Sequence, residues 1–128
     1  MKLKILILTL NIAIASLCQS QPRRDYTSFE LKSEFGNSLE WNVMDNNVKV
    51  ASQSNKFGIW FYYFGKDDRI DFCTLIPKNQ IVINSMIDQL NTEGVIVGQN
   101  EWVLYTLNGK CNVKFIFLES KDWVFIYD

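Results

Sequence analysis

Asp67, Asp68 and Asp71 are the tightest acidic cluster in a chain that contains no histidine. Two acids flanking a cleft can hydrolyse a glycosidic bond, one as acid and the other as base or nucleophile. Here, however, Asp67 and Asp68 fall in Gly65-Lys66-Asp67-Asp68, between two strongly apolar stretches. Aspartates at such a tip serve turn geometry, and Asp71 is displaced onto the following strand. A small carboxylate hydrolase is the weakest of the functions considered.

The missing histidine removes Ser-His and Cys-His nucleophile pairs, histidine general bases and histidine metal sites together. Cys73 and Cys111, the two cysteines of the expected mature chain, cannot form a four-thiolate zinc site. No Gly-x-Gly-x-x-Gly, phosphate loop or EF-hand spacing occurs, so no nucleotide, calcium site or other cofactor is expected. Glu101 near Lys114 reads as a cross-strand surface pair, and Lys78 as the entrance to a helix.

The remaining chemistry lies at Cys18. Met1, Lys2 and Lys4 precede an apolar run from Ile5 to Leu17, and a polar stretch starts at Gln19. This is a secretory signal pattern, shorter than the roughly 20 apolar residues that span a bilayer. Ala13 and Ala15 fit cleavage before Ser16, and Ser20 fits cleavage before Gln21. Lipoprotein processing would instead make an acylated Cys18 the first residue, although bulky Leu17 before it counts against that route. The short lysine-containing leader ending in Cys-Gln-Ser-Gln resembles those of exported proteins of Bacteroidota bacteria; the resemblance covers the leader alone and implies no activity. The expectation is a signal peptide over 1–20 and one domain over 21–128, periplasmic or extracellular, reaching a membrane only through an acylated Cys18.

Cleavage before Gln21 leaves 108 residues, the size of one domain. It also leaves 11 basic against 14 acidic residues, −3 in all. A weakly acidic chain whose longest basic run is Arg23-Arg24 lacks the footprint of a nucleic-acid binder. Four Trp, five Tyr and nine Phe, all downstream of the leader, exclude disorder. In an oxidising compartment Cys73 and Cys111 would be expected to pair. Closing a loop of about 38 residues would stabilise the domain by roughly 4 kcal/mol, and two buried thiols are the alternative.

Alternation predicts the strands. Leu39, Trp41 and Val43, then Val48 and Val50 beyond Asp45-Asn46-Asn47, make one hairpin. Residues 57–64 and 69–76 make a second. Ile83, Met86, Ile87 and Leu90 form one apolar stripe and predict a helix from Asn79 to about Thr92, with Gly94 as a left-handed stop. A meander of 101–107, 110–118 and 123–127 follows, its first turn the type I′ signal Asn108-Gly109. Residues 26–35 are ambiguous: Phe29, Leu31 and Phe35 alternate as a strand would, while Thr27 and Glu30 have capping-box spacing and favour a short helix. The fold class is α+β, with an antiparallel sheet and one helix between the hairpins and the meander.

Closing the second hairpin at Phe64 and Arg69 puts Ile59, Phe61 and Tyr63 on a core face, and leaves Trp60, Tyr62 and Phe64 opposite Cys73, Asp71 and Arg69 on a mixed one. In the meander, Trp102, Leu104, Cys111, Val113, Phe115, Phe117, Val124 and Ile126 read as core, yet the other face, with Trp123, Phe125 and Tyr127, is also rich in apolar residues. One helix cannot cover both. Either residues 26–35 cover the surplus, or the sheet curls, or the surplus is an aromatic binding surface centred on Trp60, Tyr62, Trp123 and Tyr127. The expected function is therefore a small exported, non-enzymatic binding protein acting on a protein or other envelope or extracellular partner. The alternative is a carrier enclosing a small apolar ligand.

Overall fold

The computed structural model describes residues 23, 25–106 and 109–128. The leader, Cys18 and the Asn108 half of the expected type I′ turn lie outside the described residues.

The fold is α+β, which among the described residues comprises one eight-stranded antiparallel sheet and two α-helices. In chain order the elements are helix α1 (Ser28–Phe35), strands β1 (Glu40–Val43), β2 (Lys49–Asn55), β3 (Gly58–Phe64) and β4 (Ile70–Pro77), helix α2 (Gln80–Glu93), and strands β5 (Val95–Gly98), β6 (Glu101–Thr106), β7 (Gly109–Phe117) and β8 (Trp123–Tyr127). Across the sheet they run β1-β2-β3-β4-β8-β7-β6-β5. Strand β8 thus joins the four strands β1–β4 to the three strands β5–β7, pairing with β4 on one side and β7 on the other. No helix among the described residues is long and apolar enough to cross a membrane.

One row shows how the sheet is sided. Trp41, Ala51, Tyr62, Cys73, Tyr127, Val113, Trp102 and Ile96 are successive cross-strand partners and share one face. Both helices lie on it. Leu31 of α1 and Met86 and Leu90 of α2 belong to the same buried cluster as Trp60, Tyr62, Leu75, Phe125 and Tyr127. Phe35 stacks on Tyr62, and the Trp102 indole N–H donates to Asn91 Oδ1 at 2.8 Å.

Local chemistry explains both helices. Thr27 caps α1 with the full box: the Glu30 N–H donates to Thr27 Oγ1 at 3.2 Å, and the Thr27 N–H to Glu30 Oε1 at 3.3 Å. Arg23 then ties the chain before α1 to Glu34 at 2.7 Å and lies over the Phe35 ring. Burial alone would lower the Arg23 guanidinium pKa, but the hydrogen bond and charge of Glu34 outweigh it and raise it. Asn79 caps α2, accepting from the Val82 N–H at 3.0 Å.

Several expectations need correction. Gly94 is extended, with φ −101°, and is not a left-handed stop; the chain passes straight into β5, a strand the sequence pattern had not revealed. In the second hairpin Trp60 pairs with Leu75 and Tyr62 with Cys73, and a bulge then sets Phe64 opposite Ile70. The bulge carries Asp71 and Arg69 away from Tyr62 and Phe64, so the face taken as mixed is the core. Likewise Val113 pairs with Tyr127, Phe115 with Phe125 and Phe117 with Trp123, so β8 presents Phe125 and Tyr127 to the helices and turns Val124 and Ile126 away.

The expected disulfide also fails. Cys73 and Cys111 share the core face, both buried, and are not bridged. Strand β8 stands between theirs, and Val113, not Cys111, is in line with Cys73. Two strand spacings are roughly 9–10 Å, beyond the Cα separation of about 7 Å that a disulfide spans.

Candidate functional site

The four aromatics singled out from the sequence do not form one surface. Trp60, Tyr62 and Tyr127 are 1, 2 and 1% exposed, beneath the helices, while Trp123 is 41% exposed at the far end of β8. Trp60 contacts both Tyr62 and Tyr127, with ring centroids 6.2 and 5.3 Å away. Burial pushes both phenols above the ordinary tyrosine range. Trp123 instead packs on Phe115 and Phe117. The three buried rings are the interior of the domain, and an aromatic binding surface cannot be built from them.

The acidic cluster has structural work. Asp68 sits at a positive φ of 59° in the turn and accepts hydrogen bonds from Ser28 Oγ at 2.6 Å and Lys49 Nζ at 2.5 Å. Lys49 and Ser28 together hold its carboxyl below the ordinary range. Asp67 accepts from the Arg69 N–H at 3.2 Å, closing the turn. Thus Asp68 fastens the tip of the β3–β4 hairpin to the first residue of α1 and the first of β2. Glu101 and Lys114 are direct cross-strand neighbours, as their spacing suggested. No group of three or more metal-ligating side chains occurs among the described residues.

The sheet face away from the helices offers a different site. Its central row is Glu40, Ser52, Phe61, Thr74, Ile126, Lys114, Glu101 and Gly98. Tyr63 and Phe72 stack at 4.3 Å beside it. Over β1, β2 and β3 this face sinks into an open groove of about 430 Å³, lined by Ser38, Glu40, Asn42, Ser52, Ser54, Ile59 and Phe61. The pairing explains the shape. Ser52 and Ser54 are short side chains on the middle strand: Ser52 lies between Glu40 on β1 and Phe61 on β3, Ser54 lies beside Ile59, and Asn42 stands one pair further along β1, opposite Val50. The groove therefore has a hydroxyl floor, one polar wall and one apolar wall.

Positions in β2 are fixed from both sides. Gly58, at φ 144°, starts β3 where any Cβ would collide with the Ile76 carbonyl, and this turn sets the β2–β3 register. Ser38 faces the groove from the turn before β1, its Oγ donating to the Phe35 carbonyl at 2.7 Å. Among the described residues Glu40, Asn42, Ser52 and Ser54 make no side-chain hydrogen bond or ion pair, so their polar groups face solvent. Sequence reasoning passed over them because a polar half-strand such as Ala51-Ser52-Gln53-Ser54 carries no apolar alternation. The period-two recurrence of Ser52 and Ser54 was the available signal.

Compared with family models, with curated proteins and with solved structures, the chain matches none.

Proposed function

We propose that the chain is a small exported, non-enzymatic binding protein, periplasmic or extracellular, that holds its partner in the groove of the helix-free sheet face. The observation that carries this reading is the groove, where four polar side chains with no partner among the described residues lie beside an exposed isoleucine and a phenylalanine. Of the acidic cluster, Asp67 and Asp68 are committed to the β3–β4 turn and its fastening, as Thr27 is to the α1 cap. Histidine is missing from the whole chain, which supports binding over catalysis.

The test is retention of the full-chain protein on the envelope and extracellular material of the cells that produce it. Ser52→Arg fills the groove floor from a half-buried position without touching the helix side of the sheet. Retention should fall about tenfold, equivalent to about 1.4 kcal/mol, with the circular dichroism spectrum unchanged. Equal retention by a folded Ser52→Arg protein would refute the reading.

A further inference from the structure

Resting on that reading of the groove, we infer that its occupant is a neutral linear saccharide. The walls select it by chemistry. The polar side supplies a carboxylate, an amide and two hydroxyls from Glu40, Asn42, Ser52 and Ser54, each able to bond a sugar hydroxyl. The opposite side supplies Ile59 and the Phe61 ring, which suit the C–H face of a pyranose. A pyranose has those two sides, an apolar face and a hydroxyl edge.

Other ligand classes fit less well. Among the described residues no lysine or arginine lines the groove, and none there would neutralise a phosphate, a nucleotide or an acidic glycan. An extended peptide is bound chiefly through main-chain ladders. Near the groove such a ladder could add only in the plane of the sheet, at the outer edge of β1 or beside residues 53–55 of β2, which β1 leaves unpaired, whereas the groove lies across the face and offers side chains. A purely apolar ligand would strip water from four polar groups without replacing their hydrogen bonds, at about 1–3 kcal/mol each. The groove is also open rather than enclosed and spans three strands, which suits a chain molecule lying over the sheet face.

Cellotetraose, maltotetraose and N-acetylated chitotetraose are the probes, each titrated to about 10 mM into the isotopically labelled full-chain protein. At least one should give saturable amide shifts confined to residues 38–42, 52–54 and 59–61. Phe61→Ala and the exposed Asn42→Ala should each weaken that binding about tenfold, and Trp123→Ala should leave it unchanged. The inference is overturned if none of the three probes shifts the groove, or if the shifts lie elsewhere and survive both groove variants. Should Ser52→Arg abolish retention on cell material while no saccharide binds, the groove reading stands and the saccharide assignment falls. Unchanged retention would remove the groove reading itself.

Discussion

Helix α1 has only eight residues, too few to persist alone in water, so packing must hold it. Leu31 is its one fully buried residue, at 0% exposure, whereas Phe29 two positions earlier is 77% exposed. Replacing Leu31 by Ala deletes the equivalent of three methylenes, about 2.4 kcal/mol at roughly 0.8 kcal/mol each. A residual cavity of roughly 40 Å³ adds about 1 kcal/mol at about 24 cal/mol per Å³. The expected loss is therefore about 3–4 kcal/mol, a large share of the 5–15 kcal/mol typical of a whole domain. Urea unfolding followed by tryptophan fluorescence reads it as a lower midpoint with an unchanged m-value. Phe29→Ala should stay within about 0.5 kcal/mol of wild type. A Leu31→Ala loss below about 1 kcal/mol, or an equal loss from Phe29→Ala, would refute the view that α1 closes the core through Leu31.

Because Cys73 and Cys111 are buried and unbridged, both should take an alkylating label in denaturant without any reductant and neither should in the native protein; intact mass decides, and a requirement for reduction would contradict the geometry. The phenols of Tyr62 and Tyr127 have folded pKa values raised by burial, so the unfolded chain ionises first. Stability should be full below the unfolded value near 10 and fall above it by up to about 1.4 kcal/mol per pH unit for each phenol. Tyr127→Phe should remove one phenol's share of that alkaline slope, measured by denaturant midpoints at successive pH values.

Much of this fold was readable in the residues. The Thr27–Glu30 capping box and the Ile83, Met86, Leu90 stripe each encode a helix locally, and both helices are present. Four of the hairpin strands and the meander followed from alternation. The siding of the sheet did not, because it depends on counts of one residue. A bulge after Tyr63 moves Ile70 beside Phe64, and the five-residue connection from Leu118 to Asp122 sets which face of β8 meets Phe115. In that connection Lys121 takes a positive φ of 69°, a conformation its residue type does not advertise. Strand β5 was hidden for another reason: Val-Ile-Val-Gly is exposed on both faces and lies at the sheet edge, so no buried alternation marks it. The groove was the least legible feature, since it arises from three strands together and its floor is two serines.

The central place of β8 bears on when the protein can fold. Residues 40–77 can form one set of hairpins and residues 95–117 another, but the two sets share no ladder until residues 123–127 enter between them. While this chain is being synthesised, its two half-sheets therefore each expose an unmatched edge, at β4 and at β7, until the final strand emerges. Long-range pairing of this kind is slow, because a large loop must close before its contacts form. A chain that cannot finish folding early remains threadable for longer, a property that would suit the export proposed above.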